Sequence, residues 1–269
     1  MNRTSLAALI GVSAAGALLW GNTAISTTEI PIYHAAVPSP FDGFRIAHIT
    51  DFHNTTFGKD HHRLLKAIKA AKPDIIAITG DMIDARRTDL PCALGFAAEA
   101  VKIAPCYYVI GNHEARIPSY PEFEVGLRKV GVQVLRNDSI QLEREGEYLT
   151  MIGIDDPAAS DSFAEDIFRM QKAARGFTLL LSHRPERFET YCAAGVHLAL
   201  CGHAHGGQVR IPFIGGVIAP HQGFFPKYDS GVYTKGDTRM ILSRGLGNSL
   251  CPLRVNNRPE LIVAELCCE

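Results

Sequence analysis

The chain has 269 residues, a length that suits one sizeable α/β domain or two small domains. Hydrophobic residues make up 46% of it and charged residues 20%, a globular balance that excludes an intrinsically disordered chain. The formal net charge is −1 and the pI about 6.8, so there is no global basic field and we expect no nucleic-acid partner.

The amino-terminal 25 residues differ from the rest of the chain. Arg3 and the amino terminus precede residues 6–20, a run of about 15 residues without a charge. This length lies between that of a signal-peptide core and that of a membrane span of roughly 20 residues. We therefore predict that residues 1–25 target the chain to a membrane, as a cleaved signal or as a retained anchor. The alternative is a buried N-terminal helix.

Two features bear on where the domain resides. Positive charge lies before the apolar run, and no Lys or Arg follows until Arg45, which favours an orientation in which the domain is exported. The seven cysteines are odd in number and have no framework spacing, which argues against an oxidising compartment. We predict membrane association and leave the side of the membrane open.

Short apolar runs then alternate with amphipathic patterns along the chain. A polar connector is predicted over residues 26–29. Strands are predicted over residues 44–50, 74–79, 106–110, 132–135, 147–154, 177–181 and 196–201. Helices are predicted over residues 61–71, 92–103, 122–130, 161–175 and 185–194. This alternation predicts a layered α/β fold with largely parallel strands.

The pattern changes at residue 208 to strands and Gly/Pro-rich loops, and it ends in a strand over residues 260–266. A second sheet completed by C-terminal strands is therefore expected. The predicted organisation is a targeting segment over residues 1–25, a connector with the first strand over residues 26–43, and one globular domain over residues 44–269. No internal repeat or interdomain linker interrupts the last of these.

Five polar motifs directly follow predicted strands, where open α/β sheets place their ligands. They are Asp51-Phe52-His53, Gly80-Asp81-Met82-Ile83-Asp84, Gly111-Asn112-His113-Glu114, Ser182-His183 and Gly202-His203-Ala204-His205-Gly206-Gly207.

The first two motifs offer carboxylates and an imidazole. Asp51 and His53 can turn toward one cation, although such a pair also suits a solvated loop. Gly80 permits a tight turn that leaves Asp81 at the strand tip, where its carboxylate can bridge two cations. Asp84 can instead cap the segment that follows.

The other three motifs add an amide and further imidazoles. Asn112 supplies a neutral oxygen ligand beside His113, although Gly-Asn also suits an ordinary turn. His183 ends an apolar strand, where a hydrogen-bonded core histidine is the alternative. His203 and His205, one residue apart between glycines, are the stronger metal signal, since glycines let both imidazoles turn inward.

The five motifs together predict a metal centre, because separate structural explanations for all five are improbable in combination. Carboxylate, carboxamide and imidazole ligands suit Mn, Fe or Zn rather than Ca or a thiolate zinc site. A mononuclear zinc hydrolase that uses only His203 and His205 would leave Asp51, His53 and Asn112 without a role.

In this order the motifs resemble the calcineurin-like metallophosphoesterase family, whose pattern is D-x-H, G-D-x-x-D, G-N-H-[DE], H and G-H-x-H. The resemblance spans roughly residue 44 to the C terminus. Residues 41–53, 202–212 and 243–260 are similar to the membrane-associated bacterial YkuE/YaeI-like branch. The resemblance implies a four-layer α/β/β/α sandwich of two mixed sheets flanked by helices.

The resemblance also implies the role of each site residue. The expected cofactors are two divalent metal ions, Mn first, with Fe or Zn as alternatives. Together they activate a bridging hydroxide for in-line attack on phosphorus. His113 is implied as the catalytic imidazole, and Asp84 as a residue that orients His113 or a ligand. The implied ligands are Asp51, His53 and His205 for the first metal, Asn112, His183 and His203 for the second, and Asp81 between the two.

The implied reaction is hydrolysis of a phosphodiester or pyrophosphate. A phosphomonoesterase or a non-catalytic scaffold of the same fold is the alternative. The targeting segment and the apolar residues 211–228, which can form a lid, a lipid contact or a packed loop, favour a lipid-linked or envelope substrate. The resemblance suggests a UDP-diacylglucosamine as one candidate. No protein partner is predicted. Candidate phosphate-binding residues are Arg86, Arg87, Arg116, Arg244 and Arg254.

Overall fold

A computed structural model describes residue 16, residues 20–249 and residues 251–269. The predicted targeting segment therefore lies mostly outside the described residues, and of its end residues 20–23 are helical. Among the described residues, no helix has both the length and the apolar character that crossing a bilayer requires. The seven cysteines are free thiols.

Strands and helices alternate through most of the chain. The helices are α1 (His62–Ala71), α2 (Leu90–Ala100), α3 (Tyr120–Lys129), α4 (Phe163–Ala173) and α5 (Phe188–Ala194). The strands are β1 (Ser26–Tyr33), β2 (Arg45–Ile49), β3 (Ile75–Thr79), β4 (Cys106–Val109), β5 (Gln133–Val134), β6 (Asp138–Arg144), β7 (Glu147–Gly153), β8 (Phe177–Leu181), β9 (Leu198–Cys201), β10 (Arg210–Ile211), β11 (Gly215–Gly216), β12 (Ile218–Ala219), β13 (Gly223–Phe224), β14 (Gly231–Lys235), β15 (Thr238–Leu242) and β16 (Glu260–Cys267).

Two six-stranded mixed sheets form the centre of the molecule. The first has the order β1-β16-β2-β3-β4-β5, in which only the β16–β2 pair is antiparallel. The second has the order β14-β15-β9-β8-β7-β6, with parallel pairing in the middle and an antiparallel pair at each edge. The predicted largely parallel pairing is thus confirmed for the strands that precede the motifs.

The two sheets pack face to face because alternate residues of each strand are apolar on both sides. Ile75 and Ala77 of β3 point into the layer between the sheets, where they join Leu179 of β8 in one buried cluster. Ile76 and Ile78 point the other way, toward the cluster that contains α1, α2 and α3. Helices α4 and α5 cover the outer face of the second sheet. The predicted four-layer α/β/β/α sandwich is confirmed.

Two edge strands differ from the sequence-based expectation. Residues 26–29, predicted as a polar connector, begin β1, which pairs in parallel with β16. Strand β6 was not predicted and forms a hairpin with β7, with positive φ at Glu145 and Gly146 in the turn. Both strands are partly solvated at a sheet edge, so they lack the apolar run by which a buried strand is recognised.

Candidate metal centre

The five motifs converge at one edge of the sandwich. Three of them follow β2, β3 and β4 of the first sheet, and two follow β8 and β9 of the second. Because the sheets are packed face to face and these strands end at the same edge, their carboxyl-terminal loops meet there. Seven side chains predicted as ligands are buried at this junction: Asp51, His53, Asp81, Asn112, His183, His203 and His205.

One cluster consists of Asp51, His53 and His205, whose potential ligand atoms all lie within 4.8 Å of one another. His205 Nε2 is 3.4 Å from Asp51 Oδ1. His53 Nε2 is 3.9 Å from the same oxygen. Burial lowers the pKa of His53 to about 3, so its imidazole is neutral and keeps a lone pair for a cation.

A second cluster consists of Asp81, His183 and His203, again with ligand atoms within 4.8 Å. His183 Nε2 lies 3.2 Å from Asp81 Oδ2 and 3.1 Å from His203 Nδ1. Asp81 Oδ2 is also 3.7 Å from His53 Nε2 of the first cluster. Asp81 therefore stands between the two clusters.

Unpaired buried atoms at this junction test whether the residues fit a cation. Both ring nitrogens of His53, Nδ1 of His205 and Oδ1 of Asn112 have no hydrogen-bond partner among the described residues. An unpaired buried polar group costs about 1–3 kcal/mol, and native proteins rarely leave several together. Divalent cations accept lone pairs from such atoms at about 2.0–2.2 Å. The residues present therefore fit bound divalent metal ions.

His183 is oriented for such a role by the backbone of β3. Its Nδ1 donates to the Thr79 carbonyl at 2.8 Å, so Nε2 faces Asp81. Burial lowers the pKa of His183, but the adjacent Asp81 carboxylate outweighs burial and raises this pKa to about 10. Without a cation the imidazole is thus protonated and paired with Asp81, and a metal ion would replace that proton.

The backbone at the centre adopts a conformation that most residues avoid. A positive φ costs a residue with a side chain about 1–2 kcal/mol, and such strain is concentrated at functional sites. The predicted ligands with positive φ are Asp51, His53, Asp81, His203 and His205. The centre is also closely packed: Gly202 has no space for a side chain, since a Cβ there would lie 2.0 Å from Thr50 Oγ1.

His113 lies next to the carboxylate of Asp81. The backbone N–H of Ala85 donates to His113 Nδ1 at 3.0 Å, so the neutral ring carries its proton on Nε2. That Nε2 is 3.9 Å from Asp81 Oδ2 and 3.3 Å from Ser249 Oγ. His113 therefore presents a proton donor toward the centre.

The position of Asp84 differs from the implied orienting role. Its Oδ1 is 3.7 Å from His113 Nδ1, which is too long for a hydrogen bond. Asp84 instead accepts hydrogen bonds from the backbone N–H and the guanidinium of Arg86. The capping alternative matches this geometry, and the Ala85 N–H takes the place of the carboxylate beside His113.

Glu114 is a positioning residue for which the motif pattern implied no role. Its fully buried carboxylate accepts hydrogen bonds from the backbone N–H groups of Asp81 at 2.9 Å, Ile83 at 3.0 Å and Gly111 at 3.0 Å. It thereby ties the loop after β3 to the loop after β4. Burial, together with the nearby Asp81 charge, raises the pKa of Glu114 to about 8. Its place beside His113 was the available signal, but nothing in the sequence shows that it points inward.

Arg184 and His221 were not predicted as site residues. Arg184 is buried, and its guanidinium donates to Asp156 Oδ1 at 2.8 Å. Its Nη1 is 3.0 Å from His203 Nε2 and 2.8 Å from His221 Nδ1. His221 is exposed, and its Nδ1 lies 2.8 Å from Nε2 of the predicted ligand His203. The adjacency of Arg184 to His183 was the only signal in the sequence.

The predicted phosphate-binding arginines divide into different environments. Arg254 is buried, and its guanidinium donates to the carbonyls of Arg244 and Gly247, so it stabilises its own loop. Arg244 pairs with Glu260. The exposed Arg86 and Arg87 pair with Asp84. Arg116 lines the cavity over the centre.

A cavity of about 550 Å³ opens over the two clusters. The two apolar residues of β12, Ile218 and Ala219, form part of its wall together with Pro220. A larger cleft of about 1280 Å³ lies along α1 and α2 and contains none of the predicted ligands. The polar residues that line the smaller cavity include Asp81, Asn112, His113, Arg116, His203, His205 and His221.

This fold and the order of its site residues define a calcineurin-like phosphoesterase. Residues 44–207 match the sequence model of that family, and the chain belongs to it. The family depends on dinuclear metal centres.

Individual relatives agree with the family. The chain is 31% identical to the uncharacterized metallophosphoesterase YkuE of Bacillus subtilis, over 98% of this chain and 96% of YkuE. It is 28% identical to phosphodiesterase YaeI of Escherichia coli, over 72% of this chain and 71% of YaeI. Thermus thermophilus sulfate thiohydrolase SoxB superposes with a TM-score of 0.51 at 11% identity, over 76% of this chain and 52% of SoxB. That structural likeness supports the fold alone.

Asp81→Asn should lower metal affinity by at least about tenfold, because an amide cannot bridge two cations as a carboxylate does. Asp84→Asn is the matched control and should keep its metal, since Asp84 contacts Arg86 instead. Elemental analysis of the purified variants measures both. Full metal content in Asp81→Asn would contradict a bridging position.

Glu114→Gln should lower the free energy of unfolding by about 1–3 kcal/mol, because its NH2 group would face a backbone N–H donor and leave both unpaired. Chemical denaturation in the presence of a chelator measures the free energy of unfolding of the metal-free protein, so metal binding does not contribute to the difference. Glu122→Gln, at an exposed position of α3, is the control and should change stability by less than about 0.5 kcal/mol. Equal stability of the two variants would show that Glu114 does not hold the loops together.

Proposed function

We propose that the protein hydrolyses phosphodiester or pyrophosphate bonds with two divalent metal ions. The observation that carries this proposal is the convergence of seven ligand-type side chains, several with unpaired buried atoms, at the junction of the two sheets. The proposed ligands are Asp51, His53 and His205 for one ion, Asn112, His183 and His203 for the other, and Asp81 for both.

Two such ions, when bound, lower the pKa of water and neutralise charge on phosphoryl oxygens. The chain itself supplies a hydrogen-bond donor for the leaving oxygen. His113 carries its proton on Nε2, held in that tautomer by the Ala85 N–H, and this N–H stabilises the negative charge that develops on the leaving oxygen. Arg116 on the cavity wall contributes positive charge for the anionic substrate.

Manganese is the metal that we propose, with iron or zinc as alternatives. The ligand set mixes two carboxylates, one carboxamide and four imidazoles and contains no thiolate, which favours a metal of intermediate softness. We keep Asp84 in the proposal as a residue that holds Arg86 near the cavity rather than as a group that touches the substrate.

A lipid-linked or envelope substrate is the finer part of the proposal. Residues 6–20 carry no charge, which supports attachment to a membrane through the N-terminal segment. Ile218 and Ala219 make one wall of the cavity apolar, so a substrate with a hydrocarbon portion beside its phosphate would fit there.

His113→Ala should keep its bound metal and lose hydrolysis by about 10²–10³-fold in kcat, because a positioned hydrogen-bond donor to developing negative charge contributes that much. His62→Ala, an exposed histidine at the start of α1, is the control and should retain full activity. Steady-state kinetics and elemental analysis of the same preparations separate the two effects. Unchanged turnover would remove His113 from the mechanism.

A hydrolysis screen with added Mn²⁺ should show a higher kcat/KM for bis-p-nitrophenyl phosphate or a nucleotide-lipid pyrophosphate than for p-nitrophenyl phosphate. Chelation should abolish each activity, and Mn²⁺ should restore it. Preference for p-nitrophenyl phosphate would favour a phosphomonoesterase. Absence of hydrolysis in metal-loaded protein would favour a non-catalytic scaffold.

A further inference from the structure

Two short hairpins follow the last metal-binding motif and carry exposed apolar side chains. The first pairs β10 with β11, and the second pairs β12 with β13. Six of the thirteen exposed large apolar side chains among the described residues lie between residues 211 and 225. A concentration of this kind marks an interaction site rather than ordinary scatter. We call Phe213, Ile214, Ile218, Phe224 and Phe225 the hairpin surface.

A hydrogen-bonded base presents these side chains. The Val217 N–H lies between the Gly207 and Val209 carbonyls, at 3.1 Å and 2.9 Å. The Phe225 N–H donates to the Val217 carbonyl at 2.8 Å, which joins the second hairpin to the first. Asp229 accepts from the Gly216 N–H at 2.6 Å. The hairpins therefore have an ordered polar base and an exposed apolar tip, where Phe213 is fully exposed.

The hairpin surface is continuous with the mouth of the cavity. Ile218 belongs to that surface and also lines the cavity that contains Asp81 and His203. Whatever covers the hairpin surface therefore lies next to the opening through which a substrate reaches the metal centre.

The chain enters the described domain on the same side. The side chain of Asn22 donates to the Arg254 carbonyl at 3.2 Å and accepts from the Arg254 N–H at 2.8 Å. The next residue, Val255, accepts from the N–H of Arg210 in the first hairpin at 3.0 Å. Asn22, which lies two residues after the uncharged run over residues 6–20, is thus tied to the base of the hairpins.

The charge of the hairpins suits a lipid surface. Residues 211–228 contain no Asp or Glu, so inserting them near anionic headgroups separates no carboxylate from water. Lys227 at the end of this stretch is exposed and lies 3.5 Å from the exposed Glu189 carboxylate, and a lysine at that position can remain among the headgroups.

We propose that the hairpin surface inserts into the interfacial layer of a lipid bilayer and holds the mouth of the metal-centre cavity against the membrane. The N-terminal segment tethers the chain, and the phenylalanine tips set the orientation of the domain. The inference depends on the proposed membrane attachment but on no particular bond being hydrolysed.

Tryptophan fluorescence of the full-length chain tests the orientation, because Trp20 is the single tryptophan and can be replaced by Trp20→Phe. In that background, Phe213→Trp and, separately, Phe224→Trp are reconstituted with phosphatidylethanolamine–phosphatidylglycerol vesicles that contain bromine-labelled acyl chains. Each should lose at least about half of its fluorescence relative to unlabelled vesicles, since a ring inserted by about 5–10 Å reaches the bromine atoms.

Tyr33→Trp in the same background is the matched control. Tyr33 is an exposed aromatic residue at the carboxyl end of β1. Since β1 is parallel to β16 and β16 is antiparallel to β2, this residue lies at the end of the sheet opposite the metal centre. Its fluorescence should be nearly unchanged by the bromine label. All three variants keep the same N-terminal segment, so a difference between them reports the orientation of the domain.

Equal quenching at positions 33 and 213 would overturn the proposal, because it would show a domain without a preferred face. Bromine-insensitive fluorescence at both 213 and 224 would also overturn it, and would indicate that a second copy of the chain or its own N-terminal residues cover the hairpins. No hydrolysis is measured, so either result leaves the proposed phosphoesterase chemistry standing.

Discussion

The packing of one sheet against the other is the interaction on which the rest of the protein depends. Apolar side chains from alternate positions of β3 and β8, such as Ala77 and Leu179, fill the layer between the sheets. This packing brings the ends of five parallel strands from two separate sheets to one edge. Without this packing, Asp51 and Asp81 would follow strands of one sheet and His183 and His203 would follow strands of a separate sheet. Neither set alone would complete a two-metal site.

The centre concentrates features that a protein normally avoids, namely positive φ at residues with side chains and buried polar atoms without partners. These costs are sustained because the surrounding structure determines the positions. Glu114 ties two loops through three backbone N–H groups, and the Thr79 carbonyl orients His183. Metal binding would offset part of the cost, so the stability of this edge and its metal content are coupled.

Much of the fold and of the candidate centre could be predicted because the signals are local. A buried strand followed by Asp, Asn or His is visible in a few consecutive residues, and parallel strands place such residues together. Glu114 lies within the third motif and Arg184 directly follows the fourth, but their partners Ile83 and Asp156 are 31 and 28 residues away along the chain. The solvated edge strand β6 was missed, and the start of β1 was taken for a connector, for the opposite reason, since both lack a strong apolar pattern.

The sequence by itself determined the type and order of the potential ligands, the layered α/β class and the family. Tertiary structure alone decided which group meets which: Ala85 rather than Asp84 faces His113 Nδ1, His221 lies against His203, and Arg254 is buried in its own loop. The physical reason is that a hydrogen bond requires atoms within about 3 Å. Residue order constrains the neighbours of a side chain along the chain, but only the packing of distant loops sets distances that short.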